Sequence, residues 1–135
     1  LLVSWESLER RKNEYNELVQ KKSPANSKEI ANARSYGDLR ENHEYKAAKE
    51  MQKILMRRKA ELETQLVRAR GTDFLNPRTD VVSPGTKAAL TDLQTSTAET
   101  YTILGAWDSD PEQGVVSYLS PLAQALLNKA VGEEV

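Results

Sequence analysis

The 135-residue chain carries 19 Lys/Arg against 20 Asp/Glu and is 39% apolar, a size that bounds it to one domain or two small ones. It has no cysteine and one histidine, which excludes disulfides, zinc–thiolate sites, cysteine nucleophiles and a His-rich metal site, and argues against a Ser-His-Asp triad. No run approaches the ~18 apolar residues of a membrane span, so the expectation is a protein with neither membrane segment nor signal peptide. Charge divides the chain: residues 1–71 hold 16 Lys/Arg and 11 Asp/Glu, whereas residues 72–135 hold 3 and 9. Glycine and proline divide the same way, with one proline (Pro24) before residue 72 and four after it. The reading is a basic helical half over 1–71 and an acidic, turn-rich half over 81–135. A helix stop is expected near Gly71, and residues 72–80 (TDFLNPRTD) read as a linker.

In chain order, Leu1, Leu8 and Tyr15 recur at seven, with Trp5 and Val19 interleaved and Lys12 breaking the second row. Ala48, Leu55, Leu62 and Ala69 repeat at seven with Leu66 beside them. Two such seams predict an antiparallel α-helical coiled coil. About 30 helical residues would make an arm on the order of 45 Å long. Pro24 lacks an N–H and is expected to kink or break the first helix. Asn26 followed by Glu29 reads as the cap of a restart, and the chain should turn near Ser35-Tyr36-Gly37. Thr79–Val82, Thr86–Leu93, Thr97–Trp107 and Val115–Leu119 read as strands, and Asp108–Gly114 as a turn cluster. Ser120 as N-cap and Pro121 at the first helical position open a helix through Lys129. The fold class is α+β: a helical hairpin followed by a small α+β domain. That domain is expected to be incomplete, because a further strand after Val135 would help close its sheet, and a start at Leu1 points to a piece of a longer protein.

The chemistry gathers at the turn, residues 36–44, in Gly37-Asp-Leu-Arg-Glu-Asn-His-Glu-Tyr45. Asp38 and Glu41, three apart at a helix start, share one face. They can form a capping box at the positive end of the helix dipole. They can also offer carboxylate oxygens to a hard cation such as Mg²⁺, weakly, with a partner supplying the other ligands. One carboxylate can cap while the other meets a metal. Behind the turn, Lys46, Lys49, Lys53 and Arg57 recur at three and four. This is either a solvated helix face or a positive stripe that steers toward phosphates. Tyr36 and Tyr45 flank the turn and are expected to pack across it. His43 has no assigned role.

The segment Ala33–Glu50 (ARSYGDLRENHEYKAAKE) closely resembles the tip of the bacterial Gre transcript-cleavage factor family. The resemblance extends to Pro24 in the first helix, to Tyr101-Thr-Ile-Leu-Gly105 and to Ser120–Val135, and so spans nearly the whole chain. Asp108-Ser-Asp-Pro111 departs from the family's usual Asp/Glu-Ala-Asp, and the near-neutral charge resembles the GreA-like branch, which implies release of short RNA fragments. The resemblance implies an N-terminal antiparallel coiled coil and a C-terminal FKBP-like domain that docks on the rim of the RNA polymerase secondary channel, with Ser120 and Pro121 in the docking loop. It implies that the coiled coil enters the channel. Asp38 and Glu41 would then help hold a Mg²⁺ shared with the polymerase active site and orient the attacking water. No cofactor would be bound stably by this chain alone. The backtracked RNA 3′ end would be cleaved by the polymerase's own nuclease activity, stimulated by a factor that is not itself an enzyme. Lys46, Lys49, Lys53 and Arg57 would steer the extruded RNA. The implied setting is the bacterial cytoplasm, on the nucleoid through RNA polymerase. The alternatives are a non-cleaving secondary-channel regulator, such as an inhibitory paralogue, and a coiled-coil interaction module whose acidic turn only caps a helix.

Overall fold

The computed structural model describes residues 1–35, 37 and 43–135. The order is β1 (Leu2–Ser4), α1 (Trp5–Glu17), a π-helical turn (Leu18–Lys22), α2 (Ser23–Arg34), α3 (His43–Arg68), β2 (Arg70–Thr72), β3 (Lys87–Thr91), β4 (Ala98–Leu104), a 3₁₀ turn (Pro111–Gln113), β5 (Val115–Ser117) and α4 (Pro121–Leu126). This is the expected α+β class. Two compact units form: one from Leu1–Leu8 with Ala69–Val135, the other from Glu9–Arg68. Among the described residues no helix is long and apolar enough to cross a membrane.

The first unit differs from the expected organisation at both of its sequence ends. Leu2–Ser4 do not extend the first helix but pair in parallel with Arg70–Thr72, in register Leu2↔Arg70 to Ser4↔Thr72. Val3 is fully buried there. Gly71 is therefore a strand residue, not a helix stop, and α3 ends earlier, at Arg68. Its lack of a side chain serves close packing: a Cβ on Gly71 would lie 2.5 Å from the Trp5 ring.

A carboxylate joins β1 and the start of α1 to the end of β4. Asp108 accepts hydrogen bonds from the backbone N–H groups of Ser4 and Gly105, both at 2.9 Å. The hydroxyls of Ser4 and Ser7 also donate to it. The Ser4 hydroxyl in turn accepts from the Ser7 N–H at 3.2 Å, as an N-cap side chain does. Burial alone would raise the Asp108 pKa, but these donors outweigh it and hold the carboxyl below its ordinary value. The carboxylate also faces the positive end of α1. Gly105 admits the close approach: a Cβ there would meet Val3 Cα at 2.6 Å and Leu2 O at 2.7 Å.

The larger sheet has the order β3-β4-β5, with β3–β4 antiparallel and β4–β5 parallel. The β3–β4 loop closes on Asp92, whose carboxylate accepts from the N–H of Gln94 at 2.8 Å and of Thr95 at 3.3 Å. The core is Ala88, Ile103, Ala123 and Leu126, with Val82, Leu90, Val116, Tyr118 and Leu122 packed against it. Full burial of a side chain such as Ile103 is worth about 1.5–3 kcal/mol. Thr79–Val82 forms no strand. The Val82 N–H instead donates to Lys129 O and its carbonyl accepts from Asn128 N–H, both at 2.9 Å, so the segment is tied to the end of α4.

The second unit is an antiparallel helical hairpin. Pro24 does not break it. The ring would clash with the carbonyl four residues back, and the helix widens to a π turn in which the Ser23 N–H reaches Leu18 O. Among the described residues, side-chain hydrogen bonds cross the hairpin at several heights. Arg58 grips Glu14 through Nε at 2.8 Å and through its NH2 group at 3.0 Å. Tyr15 donates to Glu63 at 2.9 Å, and Arg11 donates to Gln65. Asn26 Nδ2 donates to Ala48 O at 2.9 Å. Asn26 is thus not the cap of a restarted helix but a buried seam residue.

Candidate functional site

The turn that carries the acidic pair is bracketed by described residues. α2 ends at Arg34, and Ser35 closes it: its hydroxyl donates to Asn32 O at 2.6 Å and its N–H to the same carbonyl at 3.1 Å. Gly37 has φ +105°, which favours glycine. Asp38 and Glu41 lie outside the described residues, as do Tyr36, Leu39, Arg40 and Asn42. On the far side, Tyr45 is half-buried, and the Arg34 guanidinium stands 5.9 Å from its ring centroid. That contact links the helix entering the turn to the helix leaving it. Among the described residues no three His, Asp or Glu side chains converge on a metal site.

The four basic positions all lie on α3. At 100° per residue they fall within an arc of about 80°. Lys46, Lys53 and Arg57 are exposed and Lys49 is half-buried. The Lys49 ammonium donates to Gln52 Oε1 at 2.8 Å. Lys53 lies 3.5 Å from Glu50 with both side chains about 70% exposed, so the pairing does little to neutralise it. Nearer the helix end, Glu14 is held below its ordinary pKa by the Arg58 hydrogen bond, and Tyr15 is pushed up by its bond to Glu63.

Ser120 and Pro121 sit at the start of α4 in the other unit. Ser120 is the N-cap, accepting from the Ala123 N–H at 3.2 Å, and Pro121 opens the helix. Neighbouring contacts hold the loop before them. The Tyr118 N–H donates to Leu104 O at 3.0 Å, and the Leu2 N–H donates to the Tyr118 hydroxyl at 2.9 Å. Pro121 and the adjacent Leu119 are exposed.

Two residues escaped the reading of the sequence. Asp108 was part of a turn cluster, and nothing local marks its partners Ser4 and Ser7, about a hundred residues away. Asn26 did carry a signal: with Ile30 and Ala33 it forms the i, i+4, i+7 spacing of one buried face.

The transcription elongation factor N-terminal family matches residues 1–70, and the transcription elongation factor GreA/GreB C-terminal family matches residues 77–135. The chain belongs to the GreA/GreB transcription elongation factor family. Transcription elongation factor GreA of Treponema pallidum is 42% identical over 134 residues, 99% of this chain and 83% of that protein. The GreA of Nautilia profundicola is 47% identical over 112 residues, 83% of this chain and 69% of that protein. Among solved structures, GreA factor homolog 1 (Gfh1) of Thermus thermophilus covers 98% of this chain and 86% of its own, at 18% identity and TM-score 0.50, a likeness of fold. Membership places both units, helical and α+β, within one elongation factor.

Proposed function

We propose that this chain acts on backtracked RNA polymerase and stimulates the polymerase's own hydrolysis of the extruded RNA, without being an enzyme alone. The observation that carries the reading is the Gly37–Tyr45 sequence at the turn between two antiparallel helices. Asp38 and Glu41 offer oxygen donors, the ligand type that Mg²⁺ takes, and two carboxylates leave the remaining positions to water, RNA and the polymerase. When bound, a Mg²⁺ shared with the polymerase would supply charge stabilisation for the oxygens around the scissile phosphate. Asp38 and Glu41 would hold it and accept hydrogen bonds from the attacking water. Lys46, Lys49, Lys53 and Arg57 would draw the extruded RNA strand toward the turn. Ser120, Pro121 and the surrounding loop would dock the other unit on the polymerase, with the hairpin in the secondary channel.

The test is release of short 3′ RNA fragments from purified backtracked elongation complexes in Mg²⁺, comparing the parent chain with Asp38→Asn and Glu41→Gln. The parent should release RNA, and both variants should bind polymerase without releasing it. Undiminished release by the double variant would remove the metal-site role. Inhibition of transcription with no release by the parent would favour a non-cleaving regulator.

A further inference from the structure

One flank of the hairpin carries an apolar stripe that the seam does not use. On α3, Ala47, Met51 and Ile54 follow the spacing i, i+4, i+7 and lie within an arc of about 60°, beside the seam residues Ala48, Leu55 and Leu62. Met51 is 44% and Ile54 55% exposed. The other flank differs: its exposed Met56 stands among the polar Gln52, Lys59 and Glu63. Across from the stripe, the π turn shapes the facing wall. Asn26, eight residues after Leu18, takes the buried position that an unbroken heptad would give Ala25. Ala25 is turned outward and exposed, and its small side chain leaves a hollow. The result is a groove of about 520 Å³ lined by Leu18, Ala25, Met51 and Ile54. Past Met51 and Glu29 it runs on into a second hollow of about 470 Å³ beside Ala33 and Ala47.

Size and charge decide what fits there. The groove follows residues 47–58 of α3, ~16 Å of helix, and is about one helix diameter, ~10 Å, wide. Doubled for side-chain relief and again for two partners, that footprint buries roughly 600 Å², half of the ~1,200 Å² at which stable protein pairs begin. A second copy of the chain would therefore not be held by this face alone. The groove suits a single helix of a partner that is anchored elsewhere, where linkage makes a small contact count. Its two ends differ in sign. Glu29 and Glu44 rim the half nearest the turn, Lys22 rims the other half, and Arg58 and Glu14 neutralise each other. A helix is positive at its N-terminus and negative at its C-terminus, so these rims favour one direction of entry.

We propose that this groove is a docking site for one amphipathic helix of the RNA polymerase, about three turns long. Its apolar side chains, spaced i, i+3 or i+4 and i+7, would cover Met51 and Ile54. Its N-terminus would point toward Glu29 and Glu44 and its C-terminus toward Lys22. That the polymerase supplies the helix rests on the function proposed above, in which the other unit anchors the chain.

The experiment titrates the parent, the double variant Met51→Asp/Ile54→Asp, the milder Ile54→Gln and the opposite-flank control Met56→Asp into purified backtracked elongation complexes with Mg²⁺. Polymerase binding and RNA release are read separately, and thermal unfolding of each chain is followed. In parallel, a benzophenone label on Ile54→Cys is photolysed with and without polymerase and its adducts are mapped; the parent sequence has no cysteine to interfere. The double variant should need about tenfold or more protein for half-maximal binding, because each carboxylate would be buried against apolar groups. Ile54→Gln should shift in the same direction by less, and Met56→Asp should stay within twofold of the parent. If the double variant melts early, Ile54→Gln decides. The adducts should fall on a polymerase helix whose apolar residues have the stated spacing. Parent-like binding by Ile54→Gln and the double variant, or adducts on a loop or strand, would overturn the proposal and leave the cleavage reading standing. Adducts between two copies of the chain without polymerase would make a second copy the occupant, also overturning it. If the parent binds polymerase but releases no RNA, the cleavage reading alone fails, and binding and adducts still decide the groove. If the parent does not bind polymerase, both fail.

Discussion

Replacing Asp108 with alanine tests the joint between the chain's first residues and the end of β4. The carboxylate accepts from the N–H groups of Ser4 and Gly105 and from the hydroxyls of Ser4 and Ser7. Ser7 keeps a second acceptor, Trp107 O at 3.3 Å, and Ser4 is half-exposed, so water can serve its hydroxyl. The cost is then set by two orphaned backbone donors, at about 1–3 kcal/mol each, reduced by partial access of water. We expect Asp108→Ala to cost about 2–4 kcal/mol, or ~8–16 °C in Tm at about 4 °C per kcal/mol. Asparagine should rescue little, because its NH₂ would face donors. The dependence on pH has a definite sign. The folded pKa lies below the ordinary value. The stabilisation is therefore complete well above the unfolded pKa of about 3.9, and is lost as pH falls through the depressed folded value. Melting curves of parent and Asp108→Ala, followed by circular dichroism from pH 7 to pH 2.5, should lie apart at neutral pH and converge in acid. A gap that stays constant over that range, or one below about 1 kcal/mol at pH 7, would refute the assignment.

Other outcomes follow from packing and charge. Gly71→Ala puts a methyl group into the Trp5 ring and should cost about 1–3 kcal/mol in denaturant unfolding, with much of the loss recovered in the Trp5→Leu background. Ile103→Ala, at a fully buried position, should cost about 2–5 kcal/mol, and a loss under 1 kcal/mol would mean that Ile103 does not sit in the sheet core. Glu14→Gln opposite Arg58 should cost only about 0.2–1 kcal/mol and show that cost mainly at low salt, because both partners are more than a third exposed or nearly so. Replacing Lys46, Lys53 and Arg57 together by glutamine should weaken RNA release most at low ionic strength, and parent and variant should approach each other as salt rises.

The elements that the sequence disclosed were those with local causes. The hairpin was legible in Ala48, Leu55 and Leu62, and α4 in the serine and proline at its start. β4 and β5 were legible in their β-branched and aromatic runs. What escaped depended on partners far along the chain. Leu2–Ser4 and Arg70–Thr72 are three-residue strands whose pairing no local pattern announces, and Leu1 and Trp5 happened to suit a helical spacing. Thr79–Val82 has strand-like residues, but its backbone groups found the end of α4 first. Pro24 pointed correctly to an irregularity and not to its form, because a π turn removes the same clash that a break would. The acidic pair was legible as chemistry, from residue types at a spacing of three. Its geometry falls outside the described residues.

The parallel pair β1–β2 makes the α+β unit discontinuous in sequence, with Leu1–Leu8 before the hairpin and Ala69–Val135 after it. Val3 fills its interior, and the Leu2 N–H reaches the Tyr118 hydroxyl. During synthesis the amino-terminal strand therefore waits, unpaired, while the sixty residues from Glu9 to Arg68 are made. A fragment begun at residue 77 lacks β1, β2 and the start of α1, and with them the Ser4 and Ser7 donors to Asp108, leaving it the Gly105 N–H. In the other direction, Glu9–Arg68 is a cassette bounded by one strand pair, and a relative's arm can be grafted between Leu8 and Ala69 without cutting the sheet that receives it.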